Sequence, residues 1–373
     1  MTNMDVALRP APPDLPSVLA DVVEYRKSGL SLNHVVGCPL DCGYCVRHLF
    51  DNFQMKRPHL IMDDERAVHL LTHHWAFRAH RTPIQVFNRA TDPFLPGVKD
   101  HLYRTLELLD QDRLTNHVLV ISRWRIEPED VERLERLRHL RLTILVTWSG
   151  IDDRRIEPVD SNIAASSLAT LATGAVRTKR ILYWRPLIAG LNDSAAHIDR
   201  ARTLARFADA TVFTGLFHRA QIKGYLRSID VEDLYTGTPR RKILPREVER
   251  RVLETFGHAP LFRKTSCAVA FAHATPDYNG HFGIERICDI CPARQVAICA
   301  AAYTQPDRPT VEALAQLAGV DVAGIEIGAG RILVDGSTEQ QRYFMQHSLG
   351  YQVHERAYPH LPDRHGRAEE GWE

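Results

Sequence analysis

Ser31-Leu-Asn-His-Val-Val-Gly-Cys38-Pro-Leu-Asp-Cys42-Gly-Tyr-Cys45 is the run on which the reading of this chain turns. Its first seven residues read as a short strand entering a loop. The loop then presents three thiols, separated by three residues and then by two. Thiolates at that spacing wrap three corners of one cubane iron–sulfur cluster, because soft sulfur suits iron. Three ligands leave one iron open to another molecule. Pro39 and Gly43 help the loop turn tightly. Zinc takes four protein ligands, or three and a water, and favours paired Cys-x2-Cys knuckles, so it fits this loop less well.

Outward from the loop, strand-like and helix-like segments alternate. Helical patterns are read over 63–80, 97–109, 127–138, 162–173 and 194–207, and strands over 83–88, 118–122, 142–147, 180–185 and 210–214. Pro128 suits a first helical turn, and Leu102, Leu106 and Leu109 share one helix face. Strands alternating with helices imply right-handed βαβ units and a parallel sheet. The expected fold is therefore α/β: a partial (β/α)6 TIM-like barrel, with a C-terminal metal-binding extension and a small α/β appendage. The expected divisions are an N-terminal segment (1–30), the barrel (31–215), a basic linker with a late-cysteine region (216–308), the appendage (309–356) and a flexible tail (357–373).

Bulk properties narrow the class. The 373 residues exceed one small domain, and 44% hydrophobic with 25% charged residues is ordinary for a globular protein. A formal net charge of +1 argues neither for nor against a polyanionic partner. Met1 to Pro16 carries no basic start followed by an apolar run, and no apolar stretch reaches membrane-span length, so a cytoplasmic protein without a membrane partner is expected. In 216–265 arginine and lysine are frequent but acids are interspersed. Arg240-Arg-Lys242 reads as a solvated basic loop.

Seven cysteines occur, three early and four late, with none left over. Cys267, Cys288, Cys291 and Cys299 supply four ligands, which make a closed site. An auxiliary [4Fe–4S] cluster is preferred over structural zinc, because only one Cys-x2-Cys knuckle is present. Zinc stays open as the alternative.

The cysteine loop and the alternating pattern resemble the radical S-adenosylmethionine (SAM) superfamily, and within it the spore photoproduct lyase-like (DNA-repair-photolyase-like) group. The pieces that carry the resemblance lie over 31–215: Gly37-Cys-Pro-Leu-Asp-Cys-Gly-Tyr-Cys45, Ala90-Thr-Asp-Pro93, Val120-Ile-Ser-Arg123, Val146-Thr-Trp-Ser149 and Arg185-Pro-Leu-Ile-Ala-Gly-Leu-Asn-Asp193. The late cysteines are a departure from spore photoproduct lyase. The resemblance implies that Cys38, Cys42 and Cys45 hold a [4Fe–4S] cluster whose open iron chelates SAM. It also implies a cofactor-binding set of Tyr44, Thr91, Asp92, Ser122, Arg123, Ser149, Arg185 and Leu187. Ligands in such folds bind at strand C-termini, where these residues are expected. Asp92 or Thr91 would receive the SAM ammonium, in a place where many relatives carry a Gly-Gly-Glu motif that this chain lacks. Arg123 would receive the carboxylate, although it and Arg185 could instead pair with Glu127 or Glu157.

By the same resemblance, a flavodoxin- or ferredoxin-type donor reduces the cluster, SAM is cleaved to a 5′-deoxyadenosyl radical, and that radical abstracts hydrogen from a substrate. The expected substrate is a small molecule or peptide, in a biosynthetic or modification step. A nucleic-acid repair or modification role is the alternative. Core packing is the default reading for Tyr183, Trp184, Tyr225 and Tyr235.

Overall fold

The computed structural model describes residues 8–11, 15, 19, 21–235, 242–358 and 367–368. Expectations for most of Met1–Pro16, for Arg240 and Arg241, and for nearly all of the tail after Tyr358 lie outside the described residues. Five short strands come first: β1 (Arg9–Pro10), β2 (Val23–Arg26), β3 (Gly29–Leu32), β4 (Val35–Val36) and β5 (His59–Leu60). Then follow β6 (Ile84–Val86), β7 (His117–Ser122), β8 (Arg141–Trp148), β9 (Lys179–Leu187) and β10 (Ala210–Phe217). The rest are β11 (Lys242–Ile243), β12 (Leu261–Phe262), β13 (Glu326–Gly328), β14 (Arg331–Val334), β15 (Gln352–Glu355) and β16 (Arg367–Ala368).

β3, β6, β7, β8, β9 and β10 lie side by side in chain order, every neighbouring pair parallel. Helices Asp64–Thr72, Lys99–Gln111, Pro128–Glu135, Ser161–Gly174 and Ala195–Ala205 connect them. This is the expected partial (β/α)6 barrel. It stays open, because β2 pairs antiparallel with β3 at one side while β11 and β12 extend β10 at the other.

Local chemistry sets these elements. Glu127 and Asp130 form a reciprocal capping box ahead of Pro128. Asp63, Asp160 and Ser194 cap the N-termini of their helices. Along each barrel strand, side chains alternate between two apolar environments. Val118, Val120, Ile144, Val146, Leu182 and Trp184 face the helix layer. Leu119, Leu145, Ile181, Tyr183 and Val212 face inward, where helix Thr265–Ala272 packs with Cys267, Ala268 and Val269. That helix fills the concave face and brings the late cysteines against the barrel interior.

Two readings are corrected. The strand expected over 31–37 divides: β3 belongs to the barrel, while β4 pairs antiparallel with β5 in a separate small sheet. The break falls at Asn33-His34, where the buried His34 turns to the Asp64 carboxylate at 2.7 Å. The helix expected over 63–80 ends at Thr72, where the His73 ring bonds back to the His69 carbonyl.

β13, β14 and β15 form a three-stranded sheet with helices Arg308–Ala318 and Glu339–Leu349 packed together beside it. Asn279 anchors it to the core: its Oδ1 accepts from Gln346 (2.9 Å) and His347 (2.6 Å), and its carbonyl accepts from Gln352 (2.5 Å). No helix among the described residues is long and apolar enough to cross a membrane.

Candidate functional site

The three-cysteine loop closes over the C-terminal ends of the parallel strands. Cys38, Cys42 and Cys45 line one cavity together with Tyr44, Thr91, Asp92, Ser122, Arg123 and Arg185. The loop is held from behind by Arg47, which is 2% exposed. Its guanidinium donates to the carbonyls of Cys38 (2.9 Å), Asn52 (2.6 Å), Phe53 (3.0 Å) and Met55 (2.7 Å). Gly43 packs closely: a Cβ there would lie 2.9 Å from Leu226 Cδ2, so that leucine would have to shift to admit a side chain. Burial pushes the Cys38 thiol up to about 11 and the Cys42 thiol well above its ordinary value. Three thiols converging on one cavity, two of them pushed up by burial, suit a centre whose positive charge holds them as thiolates. The donor set therefore fits an iron–sulfur cluster.

Asp92 sits at the junction of β6 and β7. Its carboxylate accepts from Ser122 Oγ (2.7 Å), the Arg123 N–H (2.8 Å) and the Phe94 N–H (3.1 Å). Burial raises its pKa even against these bonds. Asp92 thus ties two strand ends together. Beside it, Thr91 lines the cavity, its buried hydroxyl without a partner among the described residues.

Arg123 joins a buried network. Its Nη1 donates to Glu157 Oε2 at 2.8 Å and also to the Tyr44 phenol, which donates to Glu157. Ser149 Oγ donates to the same carboxylate at 2.9 Å, and the Cys42 thiol to its other oxygen at 3.8 Å. Glu157 therefore links the cysteine loop to the ends of β7 and β8. Ser149 serves that carboxylate and lies outside the cavity lining, as does the fully buried Leu187. Arg185 pairs with neither Glu127 nor Glu157; it lies over the Tyr183 ring at 4.2 Å. Trp184 faces the helix layer and stacks on Phe256, and Tyr235 is buried with its hydroxyl accepting from the Ala189 N–H.

A second pocket gathers Cys267, Cys288, Cys291 and Cys299 with Asp277 and His281. Ligand atoms of Cys267, Asp277 and His281 lie within 4.8 Å of one another. Burial raises the Cys299 thiol, although its Sγ accepts from the Asp277 N–H (3.4 Å) and Gln295 Nε2 (3.3 Å), which work the other way. Burial, with Cys288 and Cys299 close by, pushes the Cys291 thiol up to about 12. Burial works to raise the Asp277 carboxyl too, but His281 outweighs it and holds the group at about 2. This donor set also suits a metal centre.

No protein-family model matches this sequence, and no curated protein matches it. Solved structures resemble it at low identity. A spore photoproduct lyase point mutant aligns with a TM-score of 0.46 and 12% identity, over 62% of this chain and 74% of that chain. A spore photoproduct lyase mutant with bound AdoMet and dinucleoside spore photoproduct aligns at 0.46 and 12%, over 62% and 75%. Streptococcus suis SuiB bound to S-adenosylmethionine aligns at 0.44 and 11%, over 68% of this chain and 54% of that chain.

Several site residues escaped the sequence reading. Arg47 looks like a surface arginine until its four carbonyl partners come together. Glu157 was visible in Ile156-Glu-Pro158 as part of the resemblance and as a possible partner of Arg123 or Arg185, without a role in the site. Asp277 and His281 had a weak local signal, the i, i+4 spacing of a carboxylate and an imidazole. Lys242 is a correction: it does not lie in a solvated loop but lines the first cavity from β11, beside β10. Among the described residues of 216–265, several other basic side chains pair with acids. Arg227 pairs with Asp233, Arg250 with Glu247 and Glu254, Arg251 with Asp193, and Arg263 with Glu249.

Proposed function

We propose that this chain is a radical SAM enzyme acting on a small molecule or peptide. One observation carries the reading. Three cysteines at x3 and x2 spacing share a cavity with Thr91, Asp92, Ser122 and Arg123, at the C-terminal ends of a (β/α)6 barrel. Cys38, Cys42 and Cys45 would hold a [4Fe–4S] cluster. Bound there with SAM, the cluster supplies a one-electron route to a substrate radical, with methionine and 5′-deoxyadenosine as products.

The protein's own residues bind, orient and exclude water. Arg47 fixes the loop. Asp92 takes three donors, two on Oδ1 and one on Oδ2, and acts by positioning Ser122 and Arg123. The unpartnered Thr91 hydroxyl is the better acceptor for the SAM ammonium. Arg123, held by Glu157 through Nη1, presents the rest of its guanidinium to a carboxylate. A second cluster on Cys267, Cys288, Cys291 and Cys299 is the reading for the late centre, and a flavodoxin- or ferredoxin-type protein that for the electron donor. The nucleic-acid alternative is weakened on one of its two grounds, because Lys223, Arg227, Arg250, Arg251 and Arg263 of the basic stretch are ion-paired.

Anaerobically reconstituted protein, reduced in the presence of SAM, should release 5′-deoxyadenosine. Cys45→Ala should abolish release. Undiminished release from that variant would sink the assignment. Iron and sulfide counts should drop by about half in Cys288→Ala; an unchanged iron count together with one bound zinc would assign the late centre to zinc instead.

A further inference from the structure

The cavity is lined by five cationic side chains, Arg47, Arg89, Arg123, Arg185 and Lys242, against one carboxylate, Asp92. Three of the five already have partners in the protein. Arg47 is committed to backbone carbonyls, Arg89 to Glu24 at 2.7 Å and Arg123 to Glu157. Asp92 takes three hydrogen bonds from Ser122, Phe94 and Arg123. Arg185 and Lys242 remain, and among the described residues neither forms an ion pair.

They belong to a larger positive cluster. Tyr183 lies under the Arg185 guanidinium and accepts a hydrogen bond from Thr265 Oγ1 at 3.2 Å. Lys27 approaches Lys242 and Tyr183 from the turn between β2 and β3. The field is strong enough to act on the phenol: burial pushes Tyr183 up, but Arg185, Lys242, the Thr265 bond and Lys27 outweigh it and bring it down to about 8. Burial, then Lys242, likewise pulls Lys27 down to about 8. Cations sheltered from water without a counter-charge are costly, and native proteins retain them where a ligand supplies the charge. Arg185 offers a planar fork and Lys242 a compact ammonium, a pair suited to phosphoryl or carboxylate oxygens.

We infer that Arg185 and Lys242 form an anion subsite in the cavity, and that the substrate is a small molecule carrying a phosphoryl or carboxylate group seated there. This deepens the radical SAM reading and rests on it for the word substrate. Arg185 ends β9 and Lys242 enters from β11, so the anion would be held at the β9–β10 side of the cavity. Cys38, Cys42 and Cys45 of the cysteine loop line the same cavity. The subsite thus anchors one end of the substrate, leaving the remainder to extend toward the cluster.

The test is calorimetric, on reconstituted holoenzyme under anaerobic conditions with and without saturating SAM. Inorganic phosphate, acetate and a single-stranded oligonucleotide serve as probes. Phosphate or acetate should bind at one site per chain in SAM-loaded enzyme, and the tighter of the two identifies the substrate's anionic group. Lys242→Gln and Arg185→Gln should each weaken that binding at least about tenfold. Lys242→Arg should retain most of it, which separates lost charge from lost fold. No saturable anion binding, or unchanged affinity in both glutamine variants, would overturn the inference. Competition between phosphate and SAM would also overturn it, by giving these cations to the cofactor carboxylate. An oligonucleotide displacing phosphate at much lower concentration would overturn the small-molecule assignment. Absence of 5′-deoxyadenosine in wild type would instead break the underlying enzymatic reading, while anion binding to the SAM-free protein would still be measured.

Discussion

At the scale of single residues, Arg47 and Thr91 make opposite demands on the fold. Arg47 donates to four carbonyls at once; Arg47→Ala takes this donor from the Cys38 and Phe53 carbonyls and leaves those of Asn52 and Met55 only the backbone N–H groups of Met55 and Cys38. The expected cost is about 3–5 kcal/mol, read by denaturant unfolding, with loss of iron from the early loop. Arg47→Lys should restore only part of it, because an ammonium cannot reproduce the guanidinium fork. Thr91 is the reverse case. Its hydroxyl is buried and has no partner among the described residues, so it contributes little to folding. Thr91→Val should leave stability within about 0.5 kcal/mol and weaken SAM binding about tenfold, measured by equilibrium titration. Unchanged SAM affinity would return the ammonium to Asp92. The two residues also differ in how they could be read. Thr91 stood in a recognisable place after a strand, whereas nothing near Arg47 in sequence announces that its partners are the backbone of its own loop.

At the scale of elements, the parallel strands were legible because both of their faces are covered. Val118-Leu-Val-Ile and Leu142-Thr-Ile-Leu-Val are apolar almost throughout, as two buried faces require. β4, β5 and β11 are two residues long and exist through pairing with distant segments, so no local pattern marks them. Lys242 reaches the cavity only because β11 pairs antiparallel with β10, which is why it reads locally as a solvated basic residue. The docking of helix Asp64–Thr72 is similar. Asp64 accepts from His34 at 2.7 Å and from His101 at 3.0 Å, joining the helix to the β3–β4 turn and to helix Lys99–Gln111. Burial works to raise the Asp64 carboxyl, but bonds to His101 and His34 prevail and lower it. The bond to Asp64 raises His101. A depressed carboxyl contributes stability that is lost as pH falls through its folded pKa. A raised imidazole contributes stability present below its unfolded pKa and lost as pH rises through the folded one. Asp64→Asn should therefore cost most, about 1–3 kcal/mol, near about pH 5–6, and less on both sides of that window. Unfolding measured across pH on both proteins checks this; a flat difference would remove the ionic component.

At the scale of the whole molecule, three bodies of structure are tied through the late-cysteine region. Helix Thr265–Ala272 packs into the concave face of the barrel, and Cys267 on it belongs to the second pocket. Twelve residues on, Asn279 reaches the appendage through two side-chain donors and a backbone carbonyl. Burial drives the His347 imidazole down to about 3, so it is neutral at physiological pH; Asn279 Oδ1 accepts from its Nε2–H, which leaves Nδ1 to accept from the Tyr25 hydroxyl at 3.0 Å. A metal at the late centre would hence stabilise more than its own loop, since the same short segment carries both its ligands and the appendage anchor. Asn279→Ala removes the acceptor shared by Gln346 and His347 and strands two buried donors, at an expected cost of about 2–4 kcal/mol. Because the carbonyl to Gln352 survives, the appendage should loosen rather than detach. Hydrogen exchange should accelerate in 326–355 while the barrel strands keep their protection. If the late centre and the appendage are coupled as this geometry requires, removal of its metal should raise exchange in the same segment, and equal exchange with and without metal would show that the two are independent.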